Sequence, residues 1–327
     1  MIAIDLSFYD TLFYALGGAP SDARSLAFSG PSYPALVWAA FGLCLGSFAN
    51  VLIHRLPREE SIVRPRSRCP KCAAPIAFKD NIPVLSWLLL RGRCRNCREP
   101  ISGRYPAVEL LLGLLGAALA MRWSEPAWVG PALLASVGFV AIAFIDWDTL
   151  LIPDELSLGL VVLGLLASPL NPVLGYETEK LWLRPLTALV GALAGYAGCL
   201  LIAILGEKMF GKEAMGGGDL KLLAAVGAWS GALGALDCVM VASFIGAFYG
   251  MARILRRASL RYRGRLGPLL DRFARVSGRR RSPARWTLHL LRGRVHREPP
   301  IPFGPFLSAG ALLNFFYLLP VGFPFTF

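Results

Sequence analysis

The chain has 327 residues, of which 55% are hydrophobic and only 17% carry a charged side chain. A soluble globular domain is nearer half apolar and a quarter charged, so this composition excludes a soluble cytosolic enzyme, a disordered chain and a small secreted disulfide module. The net charge is +13, and fifteen arginines with two acids between residues 253 and 298 account for all of it. The composition therefore indicates a polytopic membrane protein, and the confinement of the charge to one segment argues against a nucleic acid partner.

Eight apolar runs of about the length needed to cross a bilayer follow one another along the chain. We predict an all-α fold, an integral membrane protein with about eight transmembrane helices, at 33–53, 105–122, 127–146, 155–171, 184–206, 220–234, 236–255 and 301–322. The sixth of these runs is short and rich in glycine, and only Asp237 marks its boundary with the seventh.

Lysine and arginine in the connecting loops predict how these helices are oriented. The loop 54–104 carries twelve basic and four acidic residues, and the arginine-rich segment follows the seventh helix. With eight helices all basic loops fall on one side, which we assign to the cytoplasm, and both termini then face outward. The predicted segments are an outward extension 1–32, a first helix 33–53, a cytoplasmic loop 54–104, helices two to seven at 105–255, a basic insert 256–298 and a last helix 299–327.

Two C-x-x-C pairs lie in the first cytoplasmic loop. Cys69 and Cys72 are followed, after 21 intervening residues, by Cys94 and Cys97. Four thiolates presented by two turns suit a tetrahedral Zn²⁺ site. Disulfides are the alternative, which a cytoplasmic location disfavours. Because a closed four-cysteine site has no open ligand position, we predict a structural role for this zinc-binding loop rather than a catalytic one.

Carboxylates stand at the cytoplasmic ends of two predicted helices, where ionisable groups are costly and are candidates for function. One group belongs to FIDWDTLLIPDEL, residues 144–156, and the other is Asp219, which follows three glycines. The glycines would let a substrate strand lie close to the carboxylate, although an aspartate at a helix N-terminus is also a common cap. Asp146, similarly, is compatible with a simple helix end at the interface.

Two aspartates that face each other can share a proton and hydrolyse a peptide bond without a metal ion. The spacing does not identify the pair, because 73 positions separate Asp146 from Asp219. On chemistry alone, Asp148 and Asp154 compete with Asp146 for this role.

Six motifs, in order along nearly the whole chain, resemble those of the bacterial type IV prepilin peptidases, also called prepilin leader peptidase/N-methyltransferases. They are GSFANVLIHRLP (46–57), the paired C-x-x-C loop of the family's long form, ISGRYPAVELLLG (101–113), FIDWDTLLIPDEL (144–156), GGGDLKLLAAVGAW (216–229) and PFGPFLSAGAL (302–312).

The resemblance implies an aspartic endopeptidase of the bacterial inner membrane with its active site facing the cytoplasm. By their positions in the motifs, Asp146 and Asp219 would be catalytic; the supporting motif residues would be Gly217, Gly218, Lys221 and Asp154. The implied substrates are type IV prepilins or type II secretion pseudopilins. Their basic leader peptides are removed by cleavage after a glycine. Many long-form members also methylate the new N-terminal residue with S-adenosylmethionine.

The methyl donor has no recognisable glycine-rich fingerprint in this sequence. The resemblance implies that the zinc loop helps to form the donor site, and Glu109 in the second predicted helix is a candidate for contacting the donor. An ion pair with Arg104 or Arg55 near the interface is the alternative for Glu109. In the first motif, Asn50 is predicted to make a polar contact between helices.

The basic insert 256–298 mixes arginine with leucine, phenylalanine and tryptophan, which favours an amphipathic helix on the membrane surface. A disordered tether and a docking site for an acidic partner are the alternatives. For the whole chain, an ion-coupled transporter with broken helices and a non-catalytic assembly scaffold are the rival functions.

Overall fold

The computed structural model describes residues 33–123, 125–176, 180–211, 215–276 and 302–315. In these ranges the chain forms eight α-helices and no β-strand, which confirms the all-α prediction. The helices are α1 (Tyr33–Arg55), α2 (Leu85–Leu89), α3 (Arg104–Arg122), α4 (Pro126–Thr149), α5 (Asp154–Ala167), α6 (Arg184–Phe210), α7 (Gly217–Val276) and α8 (Gly304–Asn314). Short 3-10 turns occur at Leu56–Arg58, Phe78–Asp80, Ser168–Leu170, Val173–Tyr176 and Leu181–Leu183.

Among the described residues, five helices are long and apolar enough to cross a membrane. They coincide with α1, α3, α4, α6 and the first two thirds of α7, and they identify the chain as a polytopic membrane protein. The candidate spans are Pro34–Arg58, Arg104–Arg122, Pro126–Thr149, Leu181–Met209 and Gly217–Arg256.

The fourth predicted span, 155–171, is shorter than expected. The helix α5 has 14 residues, and a 3-10 turn containing Pro169 follows it. A helix of that length rises about 21 Å, which is less than the hydrocarbon thickness of about 30 Å. The last predicted span, 301–322, corresponds to α8 up to Asn314, and residues 316–322 lie outside the described ranges.

The predicted boundary between the sixth and seventh spans is wrong by a few residues. The two runs form one helical element, α7, and the interruption is at Gly231 rather than beside Asp237. Gly231 has φ 75° and ψ −177°, a backbone conformation that is essentially confined to glycine. The sequence contains a glycine at this point, but hydropathy does not distinguish it from other glycines of the run.

The chain divides into two compact units. The first contains α1 to α6, the part of α7 up to Ala242, and α8; the second begins at Ser243 and contains the remainder of α7. Of the predicted basic insert, residues 256–276 continue α7 as helix and residues 277–298 lie outside the described ranges. The segments 1–32 and 316–327 lie outside them as well.

The helix α4 lies at the centre of the first unit, packed against α1, α3, α5 and α8. In its apolar stretch 72% of the residues are buried, against 22–33% for the other four candidate spans. Small residues bring α1 and α3 into close contact beside it, since a Cβ atom at Gly46 would lie 2.5 Å from the Cα atom of Glu109. The carboxylate at the end of α4 is therefore held by the most buried of the five candidate spans.

An aromatic cluster joins α4, α7 and α8. The rings of Trp128 and Trp229 are 5.9 Å apart, and those of Trp229 and Phe315 are 5.5 Å apart. Trp128 precedes Asp146 by 18 residues on α4, or about 27 Å of helix. The cluster thus fixes the three helices together far from the carboxylates.

Candidate active site and metal centre

The four cysteines of the loop between α1 and α3 come together. Their sulfur atoms all lie within 4.8 Å of one another, and the Sγ atoms of Cys69 and Cys97 are 3.8 Å apart. Tetrahedral Zn–S bonds of about 2.3 Å place the sulfurs about 3.8 Å from each other. The residues present therefore fit a Zn²⁺ ion with little rearrangement, and no disulfide joins the cysteines.

Each cysteine pair lies in the same kind of turn. The segments RCPKCAAP (68–75) and RCRNCREP (93–100) both close with an isolated bridge, and the residue after each second cysteine has a positive φ: Ala73 at 56° and Arg98 at 61°. The first cysteine N–H of each turn donates to a carbonyl five residues later, at 3.0 Å in one and 2.9 Å in the other. The two turns have the same structure because both segments have the sequence pattern R-C-x-x-C-x-x-P.

Neighbouring groups prepare one thiol for metal binding. Hydrogen bonds from the backbone of Ala74 and from the side chain of Asn96 lower the pKa of Cys72 to about 6. The thiolate is the form that binds a metal. The lowered pKa of Cys72 therefore favours the metal-binding form of this ligand.

Polar contacts hold the metal loop together and tie it to α3. Arg95 forms a two-point ion pair with Asp80 at 2.6 and 2.8 Å, and Trp87 Nε1 donates to the carbonyl of Ile101 at 3.1 Å. The N–H of Val84 donates to Oε2 of Glu109 at 2.7 Å. The loop is consequently a small folded module attached to a membrane helix.

Glu109 is buried, and a hydrogen bond from Ser47 adds to that from Val84. The ion pair considered for it is wrong, because Arg104 pairs with Asp148 and the guanidinium of Arg55 donates to two loop carbonyls. The predicted interhelical contact of Asn50 is confirmed, since its Nδ2 atom donates to the carbonyl of Tyr105 at 3.0 Å.

Asp146 is held by a helix that lies 158 residues further along the chain. The side chain is 5% exposed, and its Oδ2 atom accepts a hydrogen bond of 2.9 Å from the N–H of Gly304, the first residue of α8. A Cβ atom at position 304 would lie 2.7 Å from that oxygen. Gly304 is therefore a site residue that sequence reasoning missed, although it belongs to the PFGPF motif.

Asp219 is the third residue of α7 and is half-buried. Its N–H donates to the carbonyl of Gly216 at 3.1 Å. The segment that follows Asp146 packs on the start of α7, where Ile152 lies against Gly218 and Asp154 pairs with Lys221, so the fold brings the two aspartate motifs together. In the described part of the chain, no lysine or arginine forms an ion pair with Asp146 or Asp219.

The competing aspartates are engaged elsewhere. Arg104 forms an ion pair with Asp148, donates to the carbonyl of Phe144 at 3.1 Å and stacks on the Phe144 ring. Lys221 pairs with Asp154 at 2.6 Å. Of the three aspartates in the motif at the end of α4, only Asp146 forms no ion pair with a lysine or arginine among the described residues.

The segment after α4 packs on the glycines before Asp219. A Cβ atom at Gly218 would lie 2.9 Å from the Cβ atom of Ile152, whereas a Cβ atom at Gly217 would have no neighbour within 4 Å. Gly218 thus permits close packing, and Gly217 borders open space beside the carboxylates.

Comparison with known proteins gives a consistent result. The model of the bacterial peptidase A24 N-terminal domain matches residues 40–123, and that of the type IV leader peptidase family matches residues 133–251. A prepilin leader peptidase/N-methyltransferase of Aeromonas hydrophila is 38% identical over 293 residues, which is 82% of this chain and 85% of the relative. A protein of the same name from Myxococcus xanthus is 42% identical over 246 residues, covering 73% of this chain and 68% of the relative.

A further relative of that name, from Burkholderia pseudomallei, is 34% identical over an alignment of 343 residues that covers 93% of this chain and 94% of the relative. No solved structure matches the chain.

Proposed function

The chain belongs to the type IV leader peptidase family, and from this premise we propose that it is a membrane-embedded aspartic endopeptidase that removes the leader of type IV prepilins after a glycine. Pseudopilins of type II secretion are proposed as further substrates. The same protein is proposed to methylate the N-terminal residue that cleavage exposes. Family membership favours this function over a transporter or a scaffold.

The observation that carries the proposal is the pair Asp146 and Asp219, which lacks a basic partner among the described residues. One carboxylate takes a proton from a water molecule, and the water oxygen attacks the carbonyl carbon of the scissile glycine. The other carboxyl donates its proton to the carbonyl oxygen. When the C–N bond breaks, the protonated carboxyl gives its proton to the leaving amine nitrogen. The other carboxylate takes a hydroxyl proton from the tetrahedral intermediate as the carbonyl re-forms, so that the pair again holds one proton.

The backbone around the pair supports this chemistry. The Gly304 N–H binds one oxygen of Asp146 and fixes the orientation of the carboxylate, leaving the other oxygen for water. The open space beside Gly217 suits an extended substrate strand. The supporting pair Lys221–Asp154 and the contact of Ile152 with Gly218 hold the two motifs against each other.

We further propose that the enzyme lies in the bacterial inner membrane, with the aspartates at its cytoplasmic face and both termini outside. The loop 54–104 carries twelve basic residues and lies at the ends of α1 and α3, which supports a cytoplasmic position for it. The apolar stem of a prepilin would lie in the bilayer beside the helices, so that its start reaches the aspartates.

For the metal loop we propose a structural Zn²⁺ ion bound by Cys69, Cys72, Cys94 and Cys97. S-adenosylmethionine, when bound, supplies the methyl group. Glu109 is proposed to support methylation by holding Val84 and hence the loop, since its carboxylate is committed to that amide. Direct contact of Glu109 with the methyl donor stays a prediction.

The test is a cleavage assay on the purified, full-length protein in detergent, with a prepilin that has a Gly-Phe junction. We expect Asp146→Asn and Asp219→Asn each to lower the cleavage rate by about 10³-fold, because each variant loses a proton-transferring group. Asp148→Asn is the matched control, since Asp148 pairs with Arg104, and it should keep most of the activity. Mass analysis with and without S-adenosylmethionine reports methylation separately.

Wild-type cleavage combined with retained cleavage by an Asp146→Asn, Asp219→Asn double variant would overturn the aspartic mechanism. Cleavage without an added methyl mass would limit the enzyme to peptidase activity.

A further inference from the structure

The short helix α2 turns one side toward the metal loop. The Oγ atom of Ser86 donates to the carbonyl of Lys79 at 2.9 Å and accepts the N–H of Ile82 at 3.0 Å. Trp87 donates to Ile101 on the same side. These bonds fix the rotation of α2 about its axis and hence the direction of its other face.

The other face of α2 consists of leucines. Leu85, Leu88 and Leu89 are spaced at i, i+3 and i+4, and are 50%, 57% and 73% exposed. An exposed cluster of large apolar side chains on a folded module indicates an interaction surface, and we call these three residues the leucine face.

The contact that attaches α2 to α3 determines the depth of the leucine face relative to the membrane. Val84, the residue before α2, is bonded to Glu109, which is five residues inside the candidate span that begins at Arg104. Side chains on a helix lean toward its N-terminus, so the Glu109 carboxylate reaches back toward the first turn of α3. The leucine face therefore starts at the end of a membrane helix, where headgroups meet acyl chains.

The charge next to the leucine face fits a lipid surface. Residues 82–98 contain four arginines and no acidic residue. Arg91 and Arg93 are exposed directly after α2, whereas Arg95 is engaged with Asp80. Apolar side chains flanked by arginine are typical of segments that lie in the membrane interface and attract anionic lipids.

We propose that α2 is an interfacial membrane anchor. Leu85, Leu88 and Leu89 insert among the acyl chains of the leaflet at the N-terminal end of α3, and Arg91 and Arg93 contact anionic headgroups. The occupant is the bilayer rather than a second copy of the chain or a substrate helix, because Glu109 ties the start of α2 to the first turns of a candidate membrane span and exposed arginines follow the leucines. The anchor holds the metal loop flat against the membrane, and it does not depend on the peptidase function.

The test uses the full-length protein in nanodiscs of phosphatidylethanolamine and phosphatidylglycerol. A photo-crosslinking residue is introduced as Leu88→p-benzoylphenylalanine, with Leu89→p-benzoylphenylalanine as a second position. The control is Lys71→p-benzoylphenylalanine in the same loop, where the native side chain is 68% exposed and charged. Zinc content and thermal unfolding verify that each variant is folded.

We expect phospholipid adducts at positions 88 and 89 at a yield at least about five-fold above that at position 71, since only the leucine face enters the acyl region. Equal lipid yields at the three positions would overturn the proposal. So would crosslinks at positions 88 and 89 that join two protein chains in place of lipid.

Discussion

Asp146 depends on the backbone of a distant residue for its orientation, and this makes a glycine necessary at that residue. The hydrogen bond from Gly304 is made without a side chain, and any Cβ atom there would come within 2.7 Å of the carboxylate. Neither the hydropathy nor the charge of the sequence indicates that a glycine is required at this position. The sequence could therefore indicate that the PFGPF segment matters, but only the three-dimensional contact assigns it to Asp146.

We expect Gly304→Ala to lower kcat for prepilin cleavage by about 100-fold, because the methyl group displaces the Asp146 carboxylate by a fraction of an ångström to an ångström. Gly198→Ala on α6 is the matched control, since a Cβ atom there meets nothing within 4 Å. Steady-state kinetics and thermal unfolding of both variants check the expectation. Equal activity of the two would contradict it.

Substitutions of the two glycines before Asp219 should affect substrate binding and protein stability differently. Gly217→Ala projects a methyl group into open space, so we expect an unchanged Tm and a KM several-fold higher, because the strand path is narrowed. Gly218→Ala should lower Tm as well, because its Cβ atom would lie 2.9 Å from Ile152. Peptide cleavage at varied substrate concentration and thermal unfolding distinguish the two. A KM for Gly217→Ala equal to that of the wild type would refute the proposed strand path.

Among the single elements, the structure of the metal loop could be predicted from the sequence, whereas the interruption of the long helix α7 could not. The loop could be predicted because its ligands lie close in sequence and their type and spacing carry the chemistry. The interruption at Gly231 could not, because many glycines occur in the same run and only packing selects the one that breaks the helix. The shortness of α5 can be related to Ser168-Pro169 once the helix is seen, but its apolar residues continue past that point.

Removal of one ligand tests the metal centre. We expect Cys97→Ser to lose most of its zinc and to expose the arginines of the loop to trypsin, because closed zinc sites contribute about 10 kcal/mol or more to the folding of small modules. Cys44→Ser, on α1 and outside the cluster, is the control. Elemental analysis and limited proteolysis provide the readouts. Full zinc occupancy in Cys97→Ser would argue against four-cysteine coordination.

For the whole molecule, composition predicts a membrane protein, and the order of the motifs identifies the two aspartate segments. Neither predicts that the two segments lie next to each other in the fold. Asp146 and Asp219 are 73 positions apart. On the sequence alone, Asp146, Asp148 and Asp154 are all candidates for the carboxylate that pairs with Asp219. The fold engages Asp148 with Arg104 and Asp154 with Lys221, which supports Asp146 as the proposed partner of Asp219. Long-range selection of this kind arises from packing and ion pairing across helices, which local patterns do not report.

The aromatic cluster should determine the stability of the helix bundle. Trp229 is fully buried, and its Nε1 atom donates to the carbonyl of Leu160 at 2.8 Å. We expect Trp229→Ala to lower the free energy of unfolding by about 3–5 kcal/mol through lost packing and a cavity. Trp182→Ala, where the side chain is 74% exposed, should have little effect. Thermal unfolding in detergent compares the two, and similar Tm values would contradict this role.

The bond between Gly304 and Asp146 also relates activity to the order of synthesis. Ribosomes make Asp146 and Asp219 well before residue 304, so a growing chain holds both carboxylates in the membrane without the donor that orients the first of them. Under the proposed mechanism, the aspartate pair then becomes competent only when α8 enters the bundle. We therefore expect a chain truncated before α8 to enter the membrane but to lack prepilin cleavage.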